Sequence, residues 1–305
     1  MGSGKNCWRA LFCLILACGG MVLAKEDVAR AGFTRPWVWG VDRLAFRRHV
    51  EISGPHNFFR LDLMQWQAEK GKPPAVNFCL HEPLSYGNFS RPVSDFFQFT
   101  VNGIPEKVLH LSEDSVRLLQ SPDGSAGCEI FLNYDGARFV LHWYMRPDSA
   151  LLHCRIRPLA DSLSAVDNAR MTLRFVPSTL RQDQDKKVLW DGVYDRQALS
   201  AKRVLEQNPQ GQLLEADDQY IILQDQKLDG SGDGKGAGPC FVAIDFTPVQ
   251  KATLKMANSW LCSLVVDLKP DFQEFHFALW QHKNTFSNAQ FKKYFTENAS
   301  LFQLE

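Results

Sequence analysis

Residues 127–158 read GCEIFLNYDGARFVLHWYMRPDSALLHCRIRP, and this stretch decides the fold. It divides into three strands, Cys128–Tyr134, Arg138–Arg146 and Ala150–Arg157. In the second, Phe139, Leu141, Trp143 and Met145 alternate with Arg138, Val140, His142, Tyr144 and Arg146, the period-two pattern of a sheet with one buried face. Leu152, Cys154 and Ile156 alternate in the same way with His153, Arg155 and Arg157. The two connections test whether these patterns agree. Asp135-Gly136 is a two-residue hairpin signal of type I′, and it sets Leu132 opposite Phe139, Ile130 opposite Leu141 and Cys128 opposite Trp143. A corner centred on Asp148-Ser149 sets Met145 against Leu152, Trp143 against Cys154 and Leu141 against Ile156. Apolar meets apolar across both turns. A slip of one residue would turn every one of these side chains to water, so the agreement fixes the register. On the opposite face the same register aligns Glu129, His142 and Arg155 in one row and sets Tyr144 beside His153.

Working outward, the chain has 305 residues and zero formal charge, with 22 phenylalanines and eight tryptophans. That length can bury a large core, and the charge balance gives no electrostatic footprint for nucleic acid. At the N-terminus Lys5 and Arg9 precede an apolar run, Ala10 to Ala24, which ends at Lys25-Glu26-Asp27. This is the pattern of a secretory signal peptide over 1–24, its apolar run shorter than the roughly 20 residues that span a bilayer. Ile15-Leu16-Ala17-Cys18 also resembles a lipobox that would make Cys18 a lipid anchor, although Leu16 departs from that pattern. The expectation is therefore an exported protein, in the periplasm or outside the cell, without a transmembrane segment in the mature chain.

Outside that segment the cysteines are Cys79, Cys128, Cys154, Cys240 and Cys262. Five is odd and the spacing irregular, so a disulfide framework is not expected. Cys128 and Cys154 flank Trp143 from opposite strands, about 9.5 Å apart, beyond disulfide reach. They read as small buried apolar side chains.

Strand follows strand along the rest of the chain. Val41–Ile52 and Phe58–Met64 precede a connector at Lys70 to Pro74 and an irregular stretch from His81 to Pro92. Phe96–Val101, the Asn102-Gly103 turn and Lys107–Leu111 read as a hairpin, and Ser115–Gln120 with Ser121-Pro122-Asp123-Gly124 leads into the central meander. Met171–Val176 continues the series. Arg181 to Gln219 is polar and reads either as a long excursion or as short edge strands. Tyr220–Leu223, Phe241–Phe246, Trp260–Leu268 and Phe272–Trp280 resume the strands. A capping box at Ser287 and Gln290, with Phe291, Tyr294, Phe295, Asn298 and Phe302 at helical spacing, predicts a helix over 287–302. Short strands separated by turns, with no strand–helix alternation, predict an all-β fold. We expect one large antiparallel β-sandwich over 25–305, possible as a supersandwich, with a short C-terminal helix.

The chemistry-bearing residues fall in four groups. On the meander face, Glu129, His142, Tyr144, His153 and Arg155 could hold a hydroxyl-rich or acidic ligand, with Arg gripping a carboxylate and Glu–His moving a proton. An ordinary solvated face of cross-strand charge pairs would look the same. In the polar stretch, Trp190, Asp191, Tyr194 and Asp195 could stack on and hydrogen-bond a sugar, or simply tuck a loop down. Asp229-Gly230-Ser231-Gly232-Asp233-Gly234 begins like a calcium loop, but Cys240 stands where that loop needs a glutamate. His276 and His282 near the last strand give no complete ligand set, so neither metal nor cofactor is expected. The chain lacks a Gly-x-Ser-x-Gly elbow, a P-loop, a dinucleotide fingerprint and a zincin motif. Three functions stay open: an exported carbohydrate- or polysaccharide-binding protein, a carbohydrate-active enzyme (epimerase, lyase or hydrolase), and an envelope structural or assembly protein. Oligomeric state is not legible.

Overall fold

The computed structural model describes residues 28–34, 44–67, 70–71, 75–82, 96–106, 109–160, 165–175, 180–182, 188–190, 196–225, 239–256, 261–281 and 288–304. The first four strands, β1 (Arg30–Thr34), β2 (Leu44–Ser53), β3 (Phe58–Trp66) and β4 (Ala75–Glu82), make a sheet in that order. Next come β5 (Phe97–Val101), β6 (Ile104–Pro105), β7 (Val116–Gln120), β8 (Ala126–Tyr134), β9 (Ala137–Met145), β10 (Leu152–Pro158) and β11 (Ala169–Phe175). Five short strands follow: β12 (Leu180–Gln182), β13 (Val188–Trp190), β14 (Arg196–Ser200), β15 (Val204–Glu206) and β16 (Gln212–Leu214). The last are β17 (Tyr220–Asp225), β18 (Cys240–Ile244), β19 (Val249–Met256), β20 (Cys262–Leu268) and β21 (Phe275–Trp280), before helix α1 (Asn288–Glu297) and a 3-10 turn at Ala299–Phe302.

Two large sheets dominate. One has nine strands in the order β15-β14-β17-β18-β21-β10-β9-β8-β7, the other six in the order β16-β19-β20-β11-β5-β6, while β12 and β13 form a separate ribbon. All pairings are antiparallel. The large sheets face each other across a continuous apolar core, and rings interlock between them. Phe97 of β5 meets Trp143 edge-on at 5.4 Å and Phe277 of β21 at 6.1 Å, and Phe99 meets Phe139 at 5.1 Å. The sheet β1–β4 contributes Val50, Phe59, Leu61 and Phe78 to the same core. Phe78 touches Phe97 at 5.6 Å, and the Phe96 N–H donates to the Phe78 carbonyl. The sandwich and its C-terminal helix are thus as expected.

The central meander has the expected register. Leu132 pairs with Phe139, Ile130 with Leu141, Cys128 with Trp143, and Trp143 with Cys154. Trp143 is fully buried. The turn chemistry differs in one place. Asn102 and Gly103 both take positive φ, 48° and 78°, and close the β5–β6 hairpin as a type I′ turn does. At Asp135-Gly136 only Gly136 does so, with φ 75°, so this hairpin closes without the left-handed Asp of type I′.

Other differences follow from burial. The hairpin partner expected at Lys107–Leu111 is instead the two-residue β6, and in the described part of that stretch, 109–111, a side chain takes the place of a ladder: Gln65 accepts from the Leu111 N–H and donates to the Leu109 carbonyl. Strands β1, β4 and β19 were not among those read from sequence. The polar stretch after Arg181 holds the short strands β13 to β16, not one long excursion.

Helix α1 and the 3-10 turn lie on the outer face of the nine-stranded sheet. Phe291 and Phe302 bury against Trp280, Phe241 and Leu151 there. The anticipated capping residue Ser287, the loop from Asp229 to Gly238, His282 and the segment 1–27 with Cys18 lie outside the described residues. The five cysteines Cys79, Cys128, Cys154, Cys240 and Cys262 are buried thiols. Among the described residues no helix is long and apolar enough to cross a membrane.

Candidate functional site

The outer face of strands β8, β9, β10 and β21 carries two rows of chemistry. Glu129, His142, Arg155 and His276 are successive cross-strand partners, and Gly127, Tyr144, His153 and Ala278 form the neighbouring row. Four rings stand together on these rows. His142 stacks on Tyr144 at 4.5 Å, Tyr144 on His153 at 5.1 Å, and His153 on His276 at 5.3 Å. The Arg155 guanidinium lies 5.5 Å from the Tyr144 ring centre. Ring faces are therefore spent on one another, and what such a stack offers outward is its polar edges.

This face is not the solvated one expected from alternation. Glu129, Tyr144, His153 and His276 are all buried, and only His142 and Arg155 are half-buried. Side chains do the covering. Arg117 and Arg157 both reach Glu129, the latter at 3.5 Å, while Arg155 reaches Glu274 at 3.7 Å. The helix-bearing half of the sheet adjoins them. Ser149 Oγ donates to the Leu301 carbonyl at 3.2 Å and accepts from the Leu151 N–H, tying the β9–β10 loop to the terminal turn.

Those bonds fix the protonation of the histidine pair. The single Ser149 hydroxyl proton goes to Leu301, so His153 Nε2, 3.0 Å away, must be the donor to Ser149 Oγ. Neutral His153 then accepts at Nδ1 from His276 Nε2–H, 3.2 Å distant. Tyr144 Oη lies 3.4 Å from the same His276 nitrogen. Burial holds the His153 pKa well below its ordinary value, with the His276 charge next in weight and Arg146 and Arg155 adding to it against Asp148. Burial likewise lowers His142 to about 4, helped by Arg157 and Arg155 and opposed by Glu129 and Asp123. Both rings are neutral at pH 7.

Above His142 and Tyr144 opens a cleft of about 580 Å³. Its floor is His142, Tyr144 and Arg155, and its walls are the β7–β8 turn, with Ser121, Asp123 and Ser125, and the loop Arg146-Pro147-Asp148. Asp123 Oδ1 accepts from the Ser125 N–H at 2.9 Å, which shapes the first wall. Arg146 grips Asp148 through two bonds of 2.9 and 2.8 Å, which holds the Asp148 carboxyl below its ordinary pKa. Gly127 lies in the Tyr144 row, where a Cβ would stand 1.9 Å from the Trp143 carbonyl oxygen and 2.7 Å from Tyr144 Cα. Side chains thus converge on the cleft as planar donors and acceptors of both signs. Such a set can bind a hydroxyl-dense ligand.

No protein-family model matches the chain, and no curated protein matches it in sequence. Several solved structures resemble it at low identity. Alpha-N-acetylgalactosaminidase NagBb from Bifidobacterium bifidum, ligand-free, is 8% identical over 81% of this chain and 38% of that one, with a TM-score of 0.45. The alpha-galactosidase from Lactobacillus brevis is 10% identical over 82% and 41%, with a TM-score of 0.42. GH36 alpha-galactosidase AgaA from Geobacillus stearothermophilus is 9% identical over 73% and 40%, with a TM-score of 0.35. The chain spans about two fifths of the length of these proteins.

Of the residues singled out from sequence, Glu129, His142, Tyr144, His153 and Arg155 do come together, and His276 joins them from β21. Trp190 ends β13 in the ribbon, while Asp191, Tyr194 and Asp195 lie outside the described residues. Sequence reasoning missed the cleft walls. The signal for them was present: the β8–β9 register pairs Ala126 with Met145, so the Ser121–Ser125 turn must face Arg146. Among the described residues no group of three or more His, Cys, Asp or Glu is placed to hold a metal ion.

Proposed function

We propose that the protein is an exported carbohydrate-binding β-sandwich whose ligand lies in the cleft over His142 and Tyr144. One observation carries this reading. A two-signed rim, Arg146–Asp148 on one side and Asp123 on the other, stands over a floor of neutral ring edges and Arg155. Each sugar hydroxyl is at once donor and acceptor, and it suits planar groups of opposite polarity held at fixed angles. Here the partners are pre-set by cross-strand pairing and by their own ion pairs, which lowers the ordering cost of binding. The apolar run at 10–24 supports export, and Cys18 supports a lipid-anchored form as its variant.

The test is a glycan array followed by calorimetry on the hits. Binding that His142→Ala or Arg155→Ala weakens tenfold or more, with the fold intact by circular dichroism, is the expected result. An array without hits, or hits indifferent to both substitutions, overturns it. A second reading, a sugar epimerase or lyase, is favoured by the cross-strand pairing of His142 with Arg155 on the cleft floor, an imidazole beside a guanidinium that can hold a carboxylate. Product formation on any array hit, abolished by His142→Ala, would establish that reading over simple binding.

A further inference from the structure

Resting on the sugar-site reading, we infer that the ligand is a polymer and that a second cleft on the same face is an adjoining subsite. This second cleft, about 950 Å³, lies between the sheet and the terminal helix. Both volumes fall in the range of small-molecule sites, roughly 300–1,000 Å³. The two are neighbours by register. Arg155 lines the first, and its direct cross-strand partner His276 lines the second together with Glu274. The Arg155–Glu274 ion pair, 3.7 Å, stands where they meet.

Their chemistry is complementary. In the first cleft the rings are stacked on one another and offer edges. In the second, half-buried Tyr220 and Phe295, 5.6 Å apart, form an aromatic wall, with Phe302 buried behind. Such a wall takes the C–H face of a pyranose, while Asp245, Lys269 and Gln303 at its rim take hydroxyls. Gln219, also at this rim, holds φ 49°, a conformation uncommon in non-glycine residues. A single sugar residue in one cleft leaves the other vacant. A chain running over the Arg155–Glu274 saddle engages both, and the second contact then forms at high effective concentration.

Calorimetry with one- to six-residue series of cello-, manno-, xylo- and galacto-oligosaccharides tests this. In whichever series binds, Kd should fall about tenfold or more between the disaccharide and the hexasaccharide. Tyr220→Ala should remove that gain while leaving disaccharide affinity within about twofold, and Phe295→Ala serves if Tyr220→Ala does not fold. His142→Ala should weaken every length. Affinity that is independent of length, or a length gain untouched by the folded variant, overturns the polymer inference and leaves the single-cleft reading standing. Failure of all four series to bind overturns both.

Discussion

Trp143 and His142 are sequence neighbours with opposite duties, which makes them a direct test of strand polarity. Trp143 is fully buried against Phe96, Phe97 and Phe277. Trp143→Ala should therefore cost about 3–5 kcal/mol, as a large core truncation does. His142 is half-buried and rests one face on Tyr144, so His142→Ala should cost about 1 kcal/mol or less. Urea denaturation gives both numbers, and equal losses would contradict the face assignment. Gly127 supplies a harsher case. Its absent Cβ would collide with the Trp143 carbonyl and Tyr144 Cα, both backbone atoms that cannot swing aside. Gly127→Ala should accordingly destabilise by at least ~2 kcal/mol, more than an alanine elsewhere on β8 would. These roles were legible to different degrees. Trp143 was fixed by alternation and two agreeing turns. The glycine was silent, because a missing side chain leaves no periodic mark.

At the scale of elements, the β9–β10 loop and the terminal turn are joined through Ser149, and the histidine pair sits directly behind that joint. Ser149→Ala would strand the His153 Nε2–H and the Leu151 N–H as buried donors, a loss of roughly 1–3 kcal/mol. Its signature should be local. Hydrogen exchange in 288–302 should accelerate before the meander responds, and unchanged protection there would show that the aromatic contacts and the Ala150 N–H bond to the Leu301 carbonyl hold the helix without Ser149. The histidines also give a pH dependence with a definite sign. His142 and His153 are lowered in the folded chain, so below pH 6.5 the unfolded chain binds more protons. Stability then rises with pH and is lost as pH falls from 6.5 toward about 4. His142→Gln should flatten that slope, and a melting-temperature profile over pH 4 to 7 identical to the parent's would refute the assignment.

The same elements explain what sequence could and could not convey. Hairpins joined by short turns announce their partners, so β7 to β10 could be placed from the chain alone. The pairing of β10 with β21 joins His153 to Ala278, far apart in sequence, and no local pattern encodes it. Hence His276 could be noted on its strand but not assigned to the ring stack. Alternation likewise gave the direction of Glu129, Tyr144 and His153 but not their burial. That depends on arginines from neighbouring strands and on the helix packed alongside.

For the whole molecule the open issue is whether the sheet β1–β4 unfolds with the sandwich or by itself. Its inner face shares the core, and Phe78 abuts Phe97, which in turn touches Trp143 and Phe277. A core shared in this way should melt as one cooperative unit. The buried cysteines are natural reporters of the answer, because each layer holds at least one. Cys79 lies in β4, Cys262 in β20 of the six-stranded sheet, and Cys128, Cys154 and Cys240 in the nine-stranded sheet. Burial pushes the Cys128 thiol up to about 12 and the Cys154 thiol well above its ordinary value, so neither should react while the fold is closed. Alkylation across a urea gradient, mapped peptide by peptide, separates these five from Cys7, Cys13 and Cys18 of the N-terminal segment. All five should become labelled at one midpoint, coincident with loss of tryptophan fluorescence. Labelling of Cys79 at clearly lower urea than Cys128 and Cys262 would make β1–β4 an independently unfolding unit, and the single domain expected from sequence over 25–305 would have to be divided there.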